Sequence, residues 1–329
     1  MHIERRTFIR NATAAAAALS GGALGASFAR AQEASWPAKP IHFIVPLAPG
    51  GAIDFIARAV GEVIQRADGY QVVVENRTGA GGTIGMDAAM KSPPDGYTVL
   101  ITNDNAASAP HIMNLSYDYT KQLVPVCYLG RQSQFLAAHS SLGINSVKEL
   151  VAYVKANPGL GYASSGVGTN QHVAGEWFAK EAGLKMEHVP YRGAGQAIND
   201  LIAAHVKTAF LGPTALFPHY KAGTIKLLAH TGSKRSPILP EIPTLEESGY
   251  KVVLDAWYAA FVPIGTPAAI VAKLNDRMNQ ALKDAKLLET FKAGVVEPVG
   301  GPADEIGKIA EADSVKYARL VKELNIKTN

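Results

Sequence analysis

Three times along this chain a short apolar run stops at a glycine-rich segment and a helical pattern follows: "PLAPGGA" at 46–52, "RTGAGGT" at 77–83 and "SSGVGTN" at 164–170. Before the first, Ile41–Pro46 reads as a strand; after it, Ile56, Val60, Val63 and Ile64 fall on one helical face. "QVVVEN" and "YTVLIT" give two more strands around the second loop and a short helix from Thr83 to Lys91. Such βαβ alternation predicts an α/β protein whose mostly parallel sheet is covered on both faces.

A second α/β unit starts near "FLAAHSSL". Ser146 and Glu149 form a capping box for a helix running to Ala156, and strands "GYAS", "MEHVPY", "VKTAFLG" and "IKLLAHT" follow with helices between them. The tail beyond Thr266 is amphipathic helix with no strand of its own, so it is expected to pack back on the first unit. That gives a discontinuous first domain, 36–131 with 257–329, and a second domain, 132–256. The chain is expected to cross between them near Arg131–Ala137 and Asp255–Val262, which makes a hinge and a cleft.

The N-terminus is read separately. Residues 1–31 carry a basic start, an Ala/Leu run and Ala29-Arg30-Ala31 as a cleavage signal, with "RRTFIR" resembling a twin-arginine motif in which Glu4 replaces the usual serine. The expected product is a free periplasmic protein cut after Ala31. The apolar run is too short for a membrane anchor, and Cys127, the single cysteine, lies nowhere near the cut to take a lipid. Removing this segment takes four arginines and one glutamate from 32 basic and 28 acidic residues, leaving a net charge of about +1. No basic arm remains, so nucleic acid is not an expected partner.

In parallel α/β sheets ligands sit beyond the strands' carboxyl ends. A helix N-terminus offers free N–H groups and partial positive charge there, and glycine lets the backbone approach closely. The loops therefore predict an anion site, most simply for a carboxylate, with the Gly50 and Gly51 amides turned to the ligand. Asp54, in the first helical turn, is expected to play a structural part with its carboxylate turned from the cleft.

Enzymatic signatures are missing. The chain has no G-x-S-x-G, H-E-x-x-H, C-x-x-C or P-loop, and "GAGGTIG" is one residue too long for a dinucleotide fingerprint. His111, His139, His188, His205, His219 and His230 show no metal-ligand spacing, so neither metal nor cofactor is expected. His172 follows "SSGVGT" closely enough to border the cleft. Tyr191 ends a strand, where it either lines the cleft or caps the core. Arg192 is expected to be solvated or paired with a surface acid rather than to clamp a carboxylate.

"WPAKPIHFIVPLAPGGAIDFIAR", "VVVENRTGAGGTIGMDAAMKSPPDGYTVL", "GYASSGVGTNQHVAGEWF", "HVPYRGAGQAINDLI", "AHTGSKRSPILPEIPTLEESGY" and "FVPIGTP" resemble the extracytoplasmic solute receptors of the tripartite tricarboxylate transporter family, the Bordetella uptake gene (Bug) group. The resemblance implies a type II periplasmic-binding-protein fold, two α/β domains around a Venus-flytrap cleft, with no catalysis. It implies a receptor that hands a small organic carboxylate to a membrane permease of one large and one small subunit; the receptor itself is expected to be a monomer. Carried over by motif, the ligand residues are Leu47, Gly50, Gly51, Thr78, Gly79, Ala80, Gly81 and Gly82 in the first domain. In the second they are Ser164, Ser165, Gly168, Thr169, His172, Tyr191, Gly193 and Ala194.

This chain departs from the family pattern in three places. Leu47 and Ile53 stand for a phenylalanine and a polar residue, Leu211-Gly212-Pro213 stands where an aspartate is common, and "GRQSQFLAA" is more polar than usual. The departures predict a cleft that has lost a counter-charge for an amine at Gly212 and gained apolar area and room. The expected ligand is a carboxylate without an amino group, on an aliphatic or aromatic body. Two other functions use the same features: a secreted hydrolase built on Ser164 or Ser165 with His172, and a receptor presenting its ligand to a membrane sensor kinase.

Overall fold

Eleven strands organise the chain: β1 (Ile41–Val45), β2 (Val72–Asn76), β3 (Thr98–Asn103), β4 (Leu123–Ser133), β5 (Phe135–His139), β6 (Leu160–Ser164), β7 (Met186–Pro190), β8 (Thr208–Leu211), β9 (Ile225–His230), β10 (Asp255–Pro263) and β11 (Glu297–Pro298). The computed structural model describes residues 36–326, so the export segment 1–31 lies outside the described residues. Residues 36–39 carry no regular structure, and from Pro40 onward the chain forms one body.

The strands divide into two sheets, ordered β11-β4-β10-β3-β1-β2 and β7-β6-β8-β5-β9. This is the two-lobed α/β architecture expected of a periplasmic binding protein. Each sheet is mixed: β10 runs antiparallel to β3 and β4, and β5 runs antiparallel to β8 and β9. The first sheet draws its strands from both ends of the chain, and the second from the middle. Only Gln134 separates β4 from β5, so it is the whole of the outward passage. The return runs through 231–254, upstream of the expected position, because β10 already pairs with the first sheet from Asp255 onward.

At the passages Thr231 is the tie. Its hydroxyl accepts from the Gln134 amide at 3.0 Å and donates to the Leu254 carbonyl at 2.5 Å, while its amide donates to the Gln134 carbonyl.

Register places the loops. Val45 lies opposite Asn76, so β1 and β2 end level and their loops stand side by side. Ser164 lies opposite Pro190, which does the same in the second sheet. Antiparallel pairing of Tyr258 with Asn103 brings the Tyr258 side chain to that same end of the first sheet.

Helix Ala52–Asp68 buries Ile53, Ile56, Ala57, Val60, Val63 and Ile64 on one face, as its spacing predicts. Ser146 accepts from the Glu149 amide, but Glu149 returns its bond to Asn145 rather than Ser146. The tail helices Ala268–Ala281, Ala285–Ala293 and Ala303–Glu323 pack on the first lobe. Contrary to expectation the tail also supplies a strand, β11, on the outer edge of β4.

Helix Asn105–Ile112 gives no sequence signal. It carries Pro110 and is buried at every position except His111, so it has no polar face to set a period.

Candidate ligand-binding cleft

Four helices that open on the space between the lobes start on a glycine. Gly51 heads Ala52–Asp68, Gly82 heads Thr83–Met90, Gly193 heads Ala194–Ile202 and Gly212 heads Pro213–Lys221, none with a side-chain cap. Three helices away from it are capped by Asp118, Ser146 and Asp284, each accepting from a first-turn amide, while Ala268–Ala281 and Ala303–Glu323 start on prolines without a cap. First-turn amides have no partner within their helix, so uncapped glycine starts leave donors and positive dipole ends facing the cleft.

Two chambers make up the cleft, meeting at Leu47 and Ser165. The inner one is narrow, with about 30 Å³ of free space, and takes Gly51, Ala52, Ile53, Asn103 and Tyr258 from the first lobe. Ser165, Gln171, Ala194, Gly212 and Thr214 come from the second. The outer chamber is wider, about 520 Å³, between Thr78–Gly82 with Met113 and Gly166, Val167, Tyr191 and Arg192. The inner lining includes no lysine or arginine; the outer includes Arg192, which is exposed.

The loop at 79–82 explains its own composition. Gly79, Ala80, Gly81 and Gly82 all have positive φ, between 46° and 126°. Such a run is tolerable only where nearly every residue lacks a Cβ. At Gly81 a Cβ would lie 2.9 Å from the Val167 carbonyl, across the cleft. At Gly193 it would lie 3.0 Å from the Ala48 Cβ, also across it. The lobes approach each other through these two bare positions.

The first loop is held by Asp54. Its oxygens accept from the Gly50 amide (3.2 Å), Arg58 Nε (3.0 Å) and Asn76 Nδ2 (3.0 Å), and Asn76 Nδ2 also donates to the Leu47 carbonyl. Burial alone would raise this carboxyl, but the bonds from Arg58, Gly50 and Asn76 outweigh it and hold the pKa below the ordinary range. Asp54 is therefore structural, as expected, although it borders the inner chamber. Gly50 does not reach that chamber: its amide is spent on Asp54, and it faces an outer groove beside Phe55 and Thr214.

In the third loop Ser165 lines both chambers, whereas Ser164, Gly168, Thr169 and His172 line neither. Thr169 caps helix Asn170–Ala182 by accepting from the His172 amide, and the Gly168 carbonyl accepts from Ser108 Oγ at 2.8 Å. His172 is buried, its Nδ1 accepting from the Gly168 amide, and its ring stacks on His188 with centroids 3.8 Å apart. Burial pushes His172 down to about 4, and burial with the neighbouring His172 pushes His188 to about 3, so both are neutral. The hydrolase pairing is not assembled: Ser165 donates to Gln171 Oε1, and Ser164 bonds His188 Nε2 at 2.6 Å behind the wall.

The chamber's floor is a cluster that motif reading does not identify. Tyr258 OH donates to Gln132 Oε1 (2.9 Å), and Gln132 Nε2 donates to Thr214 Oγ1 (2.8 Å) and the Gly294 carbonyl (2.8 Å). Gln171 Nε2 donates to Gln134 Oε1 (2.9 Å). The polar run "GRQSQF" was its only signal. It also corrects the expected spaciousness at Gly212, where a Cβ would lie 2.9 Å from Gln132 Oε1 and 3.6 Å from Gln134 Oε1. Glutamine side chains fill that space. The apolar contribution of Leu47 and Ile53 to the inner lining is present.

Tyr191 lines the outer chamber while its hydroxyl donates to Asp200 (2.7 Å). Cys127 is buried and burial pushes its thiol up to about 12. Among the described residues no cluster of His, Cys, Asp and Glu could hold a metal, and no helix is long and apolar enough to cross a membrane.

A family model described as "Tripartite tricarboxylate transporter family receptor" matches residues 56–326. Protein BugT of Bordetella pertussis is 34% identical over 298 residues, 89% of this chain and 91% of BugT. The structure of periplasmic binding protein BugD has a TM-score of 0.84 at 31% identity, covering 89% of this chain and 100% of that one. R. palustris Rpa4515 with adipate has a TM-score of 0.85 at 29% identity, covering 89% and 99%.

Proposed function

From membership of the tripartite tricarboxylate transporter receptor family, to which this chain belongs, we propose that it captures a small organic carboxylate between its lobes. It does so in the periplasm, after export by the 1–31 segment, and delivers the ligand to a membrane permease of one large and one small subunit. The observation that carries this reading is the convergence of uncapped helix starts at Gly51, Gly193 and Gly212 on an inner chamber whose lining has no basic side chain. Such a site recognises an anion through main-chain N–H groups. A fourth uncapped start, at Gly82, lines the outer chamber, its Gly82 and Thr83 amides donating to the Gly79 and Ala80 carbonyls and the next amides of the turn left for a ligand. A ligand with two acidic ends and an apolar middle passing Leu47 would engage both, and the relative solved with adipate is bound to a molecule of that kind.

The contacts on this reading come from Leu47, Gly51, Thr78–Gly82, Ser165, Tyr191, Ala194 and Gly212, with Gly193 setting the approach of the lobes. Closure is a hinge motion about Gln134 and 231–254, biased by contacts made to both lobes at once. On this reading the lobes meet at Gln134 and within 231–254, a few residues from the boundaries at 131/132 and 256/257 that the sequence suggests.

A thermal-shift screen of residues 32–329 against mono-, di- and aromatic carboxylates tests the reading. A ligand at 100 times its dissociation constant should stabilise by about 2.7 kcal/mol. No shift with any carboxylate, alongside a shift with a sugar or an amine, would refute it.

A further inference from the structure

We propose that Asp104 is a neutral carboxylic acid joined to Asn170 as an acid–amide pair, and that this pair positions the Ser165–Val167 wall of the cleft against the first lobe. Asp104 follows β3 and precedes helix Asn105–Ile112, and Asn170 is the first residue of helix Asn170–Ala182. Both are wholly buried. Asn170 Nδ2 donates to Asp104 Oδ2 at 2.7 Å, and the Tyr317 hydroxyl donates to the same oxygen.

The remaining oxygen of each residue carries the argument. Asp104 Oδ1 and Asn170 Oδ1 are both buried and both without a hydrogen-bond partner among the described residues. When a carboxyl and an amide pair as a ring, the N–H···O bond seen here is one side of it and the two second oxygens face each other on the other side. If Asp104 is ionised, two acceptors face each other, and buried acceptors left so are costly. One proton on Asp104 Oδ1, donated to Asn170 Oδ1, closes the ring and satisfies both.

The surrounding charges agree. Helix Ala303–Glu323 presents Asp313, Lys316 and Tyr317, and β10 presents Tyr258. Asp313 opposes ionisation, and Lys316, which would favour it, is paired with Asp313 at 2.8 Å. Helix Asn170–Ala182 contributes the uncharged Asn170. Burial holds Asp104 up at about 7. A second tie, from Ser108 Oγ to the Gly168 carbonyl, joins the same two segments, so the loop that carries Ser165 is fixed from its C-terminal end.

The test uses the ligand-free chain, so it does not depend on the carboxylate reading. The Asp104 side-chain carbon signal in NMR should titrate near neutrality in the wild type; a midpoint at or below the ordinary 3.8 overturns the proposal. Asp104→Asn supplies the same donor and acceptor without a proton to lose. Between pH 3.8 and about 7 the unfolded wild type has lost its proton while the native state keeps it. The wild-type folding constant should therefore fall relative to Asp104→Asn by up to tenfold per pH unit over that window, and stay level above it. An Asp104→Asn variant less stable by the same amount at every pH means an ionised Asp104 and also overturns the proposal.

Discussion

The main-chain amide of Gly50 donates to Asp54 Oδ2 across 3.2 Å, inside the loop whose glycines suggest bare amides waiting for an anion. One of the two glycines is thus already supplied with its anion from within the chain, and Gly51 alone heads the helix toward the cleft. Asp54→Asn should place N–H groups against the Gly50, Arg58 and Asn76 donors. The expected cost is about 1–3 kcal/mol at neutral pH, with weaker ligand binding because the Leu47 carbonyl shares the Asn76 bond. The Asp54 pKa is depressed in the folded state, so its contribution is full above the ordinary carboxyl pKa and is lost as pH falls through the folded value. Urea unfolding followed from pH 7 to pH 3 should show a flatter acid limb in the variant. Parallel limbs would remove Asp54 from this role.

Two glycines weigh backbone strain against cleft closure: both hold a positive φ, and only Gly81 also faces the other lobe. A Cβ at Gly50 meets nothing within 4 Å but must adopt φ +85°, so Gly50→Ala should cost about 1–2 kcal/mol of stability and leave affinity unchanged. Gly81→Val adds bulk where the Val167 carbonyl lies 2.9 Å away across the cleft, and so should hold the lobes apart. Calorimetry should find ligand binding lost in a chain that still unfolds cooperatively. Wild-type affinity in Gly81→Val would show the loop to be only a turn.

Amines should be rejected. The carboxylate nearest the inner chamber, Asp54, is engaged by Gly50, Arg58 and Asn76, and the floor offers neutral glutamine and tyrosine groups. An ammonium entering there loses water without meeting a free negative charge, which is unfavourable in a weakly screened site. Succinate or an aromatic carboxylate should bind at least tenfold more tightly than aspartate or glutamate. Calorimetry showing the reverse order would refute this.

The His172–His188 stack should shape acid stability. Both folded pKa values are depressed, to about 4 and about 3, so on unfolding each takes up a proton below the ordinary 6.5. Stability is therefore full above 6.5 and falls as pH drops toward the folded values. His188→Phe keeps a ring against His172 and removes one of these protons. Its unfolding free energy should fall less steeply between pH 6.5 and pH 4.5; an unchanged slope would mean that His188 is charged in the folded chain.

Much of this was legible from local pattern. Strands β1, β2 and β3 and helix Ala52–Asp68 announce themselves by period, and the 79–82 run by its glycines. What was not legible depends on partners far apart in sequence. Gln132 acquires meaning only beside Thr214, Tyr258 and Gly294, and its motif shows no more than a polar segment. Asn103, Asp104 and Asn105 lead into a helix buried on nearly all sides, where periodicity has nothing to report. His172 looked like a cleft residue because its loop is one, yet a helix turns its first-turn side chains to different faces, and His172 turns toward His188. Val295 could not have been found at all: it takes φ +55°, a conformation rare for a β-branched residue, to enter the core of the lobe built from the middle of the chain.

Strand β10 lies between β3 and β4, and this dictates an order of assembly. As the polypeptide lengthens, β3 and β4 must each keep an unpaired edge until residues 255–263 exist to fill the gap. The sheet of β5 to β9 has no such wait, since its strands are complete by His230. The sheet of the inserted lobe can thus form while the lobe around it is still open, with Val295 joining its core later, and helix Ala303–Glu323, later still, closes over helix Asn105–Ile112, among the earlier elements. Truncation from the C-terminus should cost the outer lobe first and leave the inner one able to fold.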